Sequence, residues 1–298
     1  MNDVFLVTGG EGFIGRNIIS KLKDLGGEPY SLDIAGKPDF KISITNRKKL
    51  DNINKKFDGI FHLAAMTSPP QFEIKPQSGL RVNVNGTFNV LDFAIKHGVQ
   101  KVVLASSSAI YGDSREVAVE SRYPDRYQNL YPVTKIIDEL FSRHYSLRED
   151  ISSVSLRFFN TFGPHENTKG AYSSPISKFL SSALKGKDIE VFGDGTQSRD
   201  FIYVKDAASA SIKAYENGKA GESYNIGTGI TTSFNEIADM VKRICKSDSR
   251  IVHVRNPFKN YQMFTQADMR KTFRELRFKP SYGLKTAIKE MSEADKSQ

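Results

Sequence analysis

Near its start the chain runs Val4-Phe5-Leu6-Val7-Thr8 straight into Gly9-Gly10-Glu11-Gly12-Phe13-Ile14-Gly15, after which Ile14, Ile18, Leu22 and Leu25 recur at helical spacing. Few folds accommodate an apolar strand, glycines at GxxGxxG spacing and an amphipathic helix in that order. Gly9 permits the tight turn, Gly12 lets a pyrophosphate approach the backbone, and Gly15 lets the helix pack close against the strand. The N–H groups at the head of the following helix, with its dipole, favour phosphate.

The same strand–helix grammar recurs along the first half of the chain. Strand candidates Val4–Thr8, Pro29–Asp33, Phe40–Ser43, Gly59–Ala64, Lys101–Ser106 and Ser153–Phe158 alternate with amphipathic stretches, among them the stripe Val84, Phe88, Leu91 and Ile95. Such alternation predicts an α/β fold, a doubly wound parallel sheet with helices on both faces and ligands at the carboxyl ends of its strands. We expect a dinucleotide-binding half over residues 1–158. Beyond it, Gly163-Pro164, the polar stretch from His165 to Ser174 and Gly193-Asp194-Gly195 break the regularity, while Phe201–Val204 and Ser223–Ile226 read as further short strands. Residues 159–298 are therefore expected to form a smaller α/β substrate-binding region, with part of 196–226 returning to the first sheet. The polar end from Ser292 to Gln298 is expected to fray.

Composition removes several alternatives. With 298 residues, 39% hydrophobic and 26% charged, the chain is neither disordered, collagen-like nor a disulfide scaffold. The lone Cys245 cannot make an internal disulfide, and His62, His97, His144, His165 and His253 are scattered, so no metal site is expected. No long apolar run is present, which predicts neither a membrane span nor a signal peptide and fits a reducing cytoplasm. The net charge of +9 fits an anionic partner or a lysine-biased surface. Arg47-Lys48-Lys49 and Lys55-Lys56 lie among apolar positions with no long basic arm or stacking aromatics between them, so the second reading is favoured and no nucleic-acid partner is expected.

Asp33 closes the second strand, where a carboxylate can accept from both hydroxyls of an adenosine ribose and would repel a 2′-phosphate; NAD is favoured over NADP. Leu63, Ala64 and Ala65 follow the buried run Ile60-Phe61-His62, and their small side chains let a dinucleotide lie across the strand end. His62 reads as a satisfied strand histidine. Tyr131 and Lys135 stand four apart, on one face of a helix. A phenol titrates ordinarily at about 10, and a neighbouring ammonium favours its ionised form, giving a general base. The run Ser106-Ser107-Ser108 comes after a strand end, where a hydroxyl could orient a substrate hydroxyl and share its proton with Tyr131; serine triplets also simply make turns.

Together Thr8 to Gly15, Phe61 to Ala65, Asn83-Val84-Asn85-Gly86-Thr87, Ser106 to Gly112, Tyr131 to Lys135, Arg157-Phe158-Phe159-Asn160 and Arg199 to Val204 resemble the extended short-chain dehydrogenase/reductase family of nucleotide-sugar epimerases and dehydratases, over nearly the whole chain. The resemblance implies a Rossmann sheet, bound NAD and a nucleotide-diphosphate sugar substrate. It implies Ser107 as the catalytic hydroxyl, Tyr131 as acid/base and Lys135 as the group that binds the nicotinamide ribose and tunes Tyr131. By the same likeness Gly9, Gly12, Phe13, Ile14, Gly15, Asp33, Leu63, Ala64, Ala65 and Asn83 lie at the cofactor, and Ser108, Asn160 and Arg199 at the substrate. Ser43 stands about where many relatives have an adenine-binding aspartate. A homodimer through the helices holding Asn85 to Lys96 and Tyr131 to Tyr145 is also implied.

Dehydratases of this kind carry an Asp-Glu pair just after the catalytic hydroxyl; this chain has Ser108-Ala109, which leaves oxidation and re-reduction. The NAD half and Ser106 to Gly112 are similar to UDP-glucose/galactose 4-epimerases. Phe162 to Gly170 and Asn260 to Asp268 are similar instead to ADP-heptose 6-epimerases, whose second acid/base falls at Lys169; a solvated loop lysine or a phosphate contact reads that residue equally well. The favoured expectation is NAD-dependent 4-epimerisation of a UDP-hexose, ahead of a heptose 6-epimerase or a 4-keto-sugar reductase. A non-catalytic dinucleotide-binding or RNA-binding protein is the alternative from another class, and the intact Ser107, Tyr131 and Lys135 speak against it.

Overall fold

Seven parallel strands form the main sheet, in the spatial order β10 (Ser223–Ile226), β6 (Ser152–Phe158), β5 (Lys101–Ser107), β4 (Gly59–His62), β1 (Val4–Thr8), β2 (Glu28–Asp33) and β3 (Phe40–Lys41). The computed structural model describes residues 3–67, 72, 74–124, 126–127, 129–148, 151–164, 166, 173–257 and 261–296. From β1 the chain winds outward through β2 to β3, then crosses back and winds the other way through β4, β5 and β6. The reversal opens a crevice at the carboxyl ends of β1 and β4, where a ligand of such a sheet binds.

Burial on both faces explains why these strands read as continuous apolar runs. In β1, Phe5 and Val7 face a core shared with Ile18 and Leu22 of the helix Phe13–Asp24 and with Ala207, Ala210 and Ala214 of the helix Val204–Asn217. Leu6 faces the opposite core with Ile60, Leu104 and the Val90, Leu91 and Ala94 stripe of the helix Gly86–Lys96. The alternation of a strand sends neighbouring side chains to opposite layers.

A second lobe stands over the carboxyl ends. Its sheets are β7 (Asn160–Phe162) with β9 (Ser198–Tyr203) and β11 (Thr231–Ser233), and β8 (Ile189–Phe192) with β12 (Ile251–Val254). Phe162, Phe179, Val191, Phe201, Phe234 and Ile288 make its core. The chain crosses back to the main sheet at β10, so the smaller lobe is an excursion rather than a tail.

Several boundaries differ from those expected. The fourth strand ends at His62 rather than Ala64, because its partner β1 stops at Thr8 and Gly9, at φ 69°, turns the chain away. The third stops at Lys41, and Ser43 beyond it turns back to share a hydrogen bond between its hydroxyl and that of Thr45, 2.8 Å. Val204 opens a helix instead of closing a strand, and Asp206 in its first turn accepts from Ser281 and Tyr282 backbone N–H groups.

Candidate active site

At the turn after β1, a Cβ on Gly9 would meet the Ala64 nitrogen at 2.7 Å, and one on Gly15 would meet the Gly9 carbonyl oxygen at 2.2 Å. A Cβ on Gly12 meets only the Gly9 oxygen, at 3.1 Å, and is otherwise in open space. Gly9 and Gly15 are thus fixed by protein packing, while Gly12 leaves room for a ligand. No side chain caps the helix Phe13–Asp24 and no acid stands in its first turn, so the head of the helix, where Phe13 and Ile14 stand, suits an anion. The cradle fits a dinucleotide pyrophosphate.

Asp33 is pinned at the end of β2, its Oδ2 accepting from Glu11 N–H at 3.1 Å and its Oδ1 from Ile34 and Ala35 N–H at 2.7 and 3.2 Å. A carboxylate has about four acceptor sites, so lone pairs remain for ribose hydroxyls. Leu63, Ala64 and Ala65 are half-buried along the crevice, held by Leu63 N–H to the Thr8 carbonyl at 3.0 Å and Ala64 N–H to the Thr8 hydroxyl at 3.3 Å. Asn83 is fully buried in a single π turn, Arg81–Asn85, between the helices Pro76–Leu80 and Gly86–Lys96. Its Oδ1 accepts from Met66 N–H at 2.8 Å, and its Nδ2 donates to the Met66 carbonyl and the Thr134 hydroxyl, both at 3.0 Å. Both amide hydrogens are spent, so Asn83 clamps the cofactor-side segment to the helix that holds Lys135.

That helix, Leu130–Arg148, begins where Asn129 Oδ1 accepts from Tyr131 N–H at 3.1 Å. It packs against the turn Ser108–Tyr111, bringing Tyr131 and Lys135 to the same end of the sheet as the serines. Tyr131 is buried, with the Phe72 ring 5.9 Å away. Lys135 is also buried, its Nζ 3.1 Å from Asp138 Oδ2. Burial pulls the ammonium down, but Asp138, Tyr131 and Glu139 outweigh it and its pKa is raised above the usual lysine value. His62, fully buried, is driven down to about 3 by burial and by the Lys135 charge. Neutral, it bridges the Thr8 hydroxyl at 2.6 Å and the Thr87 hydroxyl at 3.0 Å.

The serines divide their labour as strand alternation requires. Ser106 points into the protein and donates to Glu139 Oε1 at 2.5 Å, whereas half-buried Ser107 caps the following turn by accepting from Ala109 N–H at 3.1 Å. Ser108 lines a cavity of about 200 Å³ whose walls include Tyr111, Phe159, Gln262, Phe264 and Thr265.

Behind the cavity wall, Asn160 Nδ2 donates to the Asp200 carbonyl at 3.2 Å and the Thr265 hydroxyl at 3.0 Å. Arg199 is buried between the Phe234 and Tyr261 rings, 5.6 and 5.4 Å from their centroids, and donates to the Ser198 and Gln262 carbonyls. Burial lowers its pKa. Of the expected substrate residues only Ser108 lines the cavity; Asn160 and Arg199 stand behind its wall, bonded to the lining residues Thr265 and Gln262. Lys169, with the stretch Asn167 to Gly170 and Asn260, lies outside the described residues.

Sequence reasoning passed over four groups here. Asp138 is a buried acid one helical turn beyond Lys135, visible from the spacing. Glu139 and Arg157 form a buried pair below the serines, Nη2 to Oε2 2.7 Å. Asp200 ties β9 to its surroundings by accepting from Thr228, Gly229 and Ala267 N–H groups at 2.8, 2.9 and 3.1 Å. Gln262 donates to the Gly112 carbonyl at 2.7 Å and links the turn after Ser107 to the smaller lobe. Among the described residues no three His, Cys, Asp or Glu side chains are grouped to hold a metal, and no helix is long and apolar enough to cross a membrane.

A sequence model of the NAD dependent epimerase/dehydratase family matches residues 5–227. A UDP-N-acetyl-alpha-D-glucosaminuronate decarboxylase of Bacillus cytotoxicus is 32% identical over 84% of this chain and 82% of its own. A putative UDP-glucose 4-epimerase of Methanocaldococcus jannaschii is 35% identical over 80% of this chain and 81% of its own. Among solved structures, the UDP-glucose 4-epimerase of Thermotoga maritima with UDP-glucose superposes with a TM-score of 0.92 at 28% identity, covering 99% of both chains.

Proposed function

Because the chain belongs to the NAD-dependent epimerase/dehydratase family, we propose that it interconverts the C4 epimers of a UDP-hexose through a transient 4-keto-sugar. It is an enzyme of the extended short-chain dehydrogenase/reductase type, and its cofactor is NAD. The observation that carries the reading is the position of Ser107, Tyr131 and Lys135 at one end of the sheet with Ser108 and Ala109, not acids, next to the hydroxyl. Elimination needs a positioned acid and base there; hydride removal and return need only the tyrosine and its supports.

Bound NAD supplies reversible hydride acceptance at the sugar carbon. Tyr131 takes the hydroxyl proton as that carbon is oxidised and gives it back on reduction. Ser107 orients the same oxygen, and Lys135 holds the ribose and favours the phenolate. Arg199 would hold the diphosphate, with Asn160 bracing β9 beside it, leaving the keto-sugar free to turn in the cavity and present its other face.

The relative that decarboxylates a uronic acid supports a second outcome. Arg122, which lines the cavity, is already paired with Glu116, which favours a neutral hexose. Supporting a homodimer are the solvent-facing Leu140 and Leu147 on the helix that carries Tyr131, and the partly exposed Phe88, which packs on Phe141 and Tyr145 of that helix; a cytoplasmic setting suits a chain whose single cysteine rules out an internal disulfide.

Proton NMR of the purified protein with NAD and UDP-galactose tests the proposal through the anomeric signals. UDP-glucose should appear, and Tyr131→Phe should slow its appearance by at least about 100-fold. An unchanged UDP-galactose, or pentose formation from UDP-glucuronate, would replace the 4-epimerase reading.

A further inference from the structure

The helix Leu130–Arg148 carries a buried acid to which neither the hydride transfer nor the proton transfer gives a role. Asp138 is three residues beyond Lys135, and their side chains are only 3% and 4% exposed. Resting on the reading of Tyr131 as acid/base, we propose that Asp138 is a positioning residue for Lys135: its carboxylate aims the ammonium and sets how much positive charge reaches the Tyr131 phenol.

The surroundings leave Asp138 as the anion bonded to Lys135 among the described residues. Glu139, next on the same helix, is committed elsewhere, accepting from Arg157 Nε and Nη2 at 2.9 and 2.7 Å, Ser106 Oγ at 2.5 Å and Ser223 Oγ at 3.1 Å. From β4, His62 faces the ammonium as a neutral ring. From the helix Gly86–Lys96, the Thr87 hydroxyl, bonded to His62, also stands close enough to Asp138 to favour its anion. Tyr131, one turn back, completes the ring of groups around Lys135.

An ammonium has three N–H donors. Fixing one on Asp138 Oδ2 directs the other two outward, the number a ribose diol can accept. The cost is visible in the structure, since Asp138 Oδ1 is buried with no hydrogen-bond partner. Burial accordingly pushes the Asp138 carboxyl up to about 6, against the pull of Lys135. A half-satisfied buried acid destabilises a fold; beside a lysine whose charge must be metered, it has a task. With Asp138 ionised the pair is neutral and its effect on the phenol is damped. With Asp138 neutral, the whole ammonium charge acts on Tyr131.

The test uses the cofactor-free protein carrying 13C at the ζ carbon of tyrosine, the Tyr131 signal being identified by its loss in Tyr131→Phe. In Asp138→Asn its titration midpoint should fall by at least about half a pH unit. Asp138→Glu, which keeps the charge, should stay closer to the wild type. A folded Asp138→Asn or Asp138→Ser with an unmoved or raised midpoint overturns the proposal, because loss of packing alone has no reason to lower it. Wild type gives an independent readout: the Tyr131 signal should also shift as Asp138 takes up its proton in mild acid, and a signal flat over the whole acid range in which the protein stays folded overturns the coupling. No substrate is present, so failure of the 4-epimerase assignment leaves this result readable.

Discussion

Arg157→Met should be among the most damaging single changes outside the catalytic residues. The guanidinium is 1% exposed and makes five hydrogen bonds: two to Glu139, one each to the Tyr111 and Tyr123 hydroxyls at 2.8 and 2.6 Å, and one to the Glu120 carbonyl at 2.9 Å. Removing it leaves Glu139, 6% exposed, with the Ser106, Ser223 and Tyr123 hydroxyls and no bonded cation. Stranding a buried charge costs about 3–5 kcal/mol, against a total stability of roughly 5–15 kcal/mol for a typical chain. Tyr111 is spared part of the loss because it still donates to Asn225 Oδ1 at 2.5 Å. Urea unfolding at neutral pH reads the difference from the midpoint at unchanged slope. The decisive comparison is Arg157→Met with Glu139→Gln: removing the stranded charge should recover at least about 1.5 kcal/mol of the single variant's loss. If the double variant is less stable than Arg157→Met, or the single variant loses under about 1 kcal/mol, the ion pair does not carry the stability assigned to it.

Gly15→Ala sets helix propensity, which favours alanine by about 1 kcal/mol, against a contact of 2.2 Å with the Gly9 oxygen. The contact should win: overpacking costs about 1–3 kcal/mol, and NAD affinity by calorimetry should drop at least about tenfold, whereas a more stable variant with full affinity would show the turn is not tight. His62, held at about 3 when folded and titrating at about 6.5 when unfolded, binds its proton first in the unfolded chain. Its stabilisation is therefore complete above about pH 6.5 and is lost as pH falls toward 3, at up to about 1.4 kcal/mol per pH unit. The urea midpoint of His62→Gln should be less steep between pH 6.5 and 5 than that of wild type, and parallel curves would mean His62 is not buried neutral.

What the sequence disclosed was local. The glycine turn, the strand–helix alternation and the Tyr131–Lys135 spacing each fit within a few turns of chain, and backbone sterics or helical period make them readable. The Arg157 cluster was not, because it depends on Ser106 and Arg157 standing opposite each other in the β5–β6 register and on a helix crossing above them. The run Arg157-Phe158-Phe159-Asn160 was recognisable, but nothing within it gives its arginine a task. Gln262 and Gly112 are 150 residues apart, and only the fold makes them neighbours. The pairing of β8 with β12 was missed for the same reason: Ile251 to Val254 is short and partly exposed, and the partner that makes it a strand is far back in the chain. Asp138 is the instructive case. Its spacing from Lys135 was legible, but an acid on a helix ordinarily faces water, and only the burial shows otherwise.

The excursion of the chain through the smaller lobe has a consequence during synthesis. Strand β6 leaves the ribosome well before β10, the partner that covers its outer edge. Residues 159 to 226 must be added in between, which takes roughly 3–14 s at about 5–20 residues per second. Throughout that interval a nascent chain holding the first half presents an open strand edge with unpaired N–H and C=O groups, the kind that recruits another strand. Translation speed across this stretch should therefore set the yield of soluble protein, with slow codons there costing more than the same codons after Ile226.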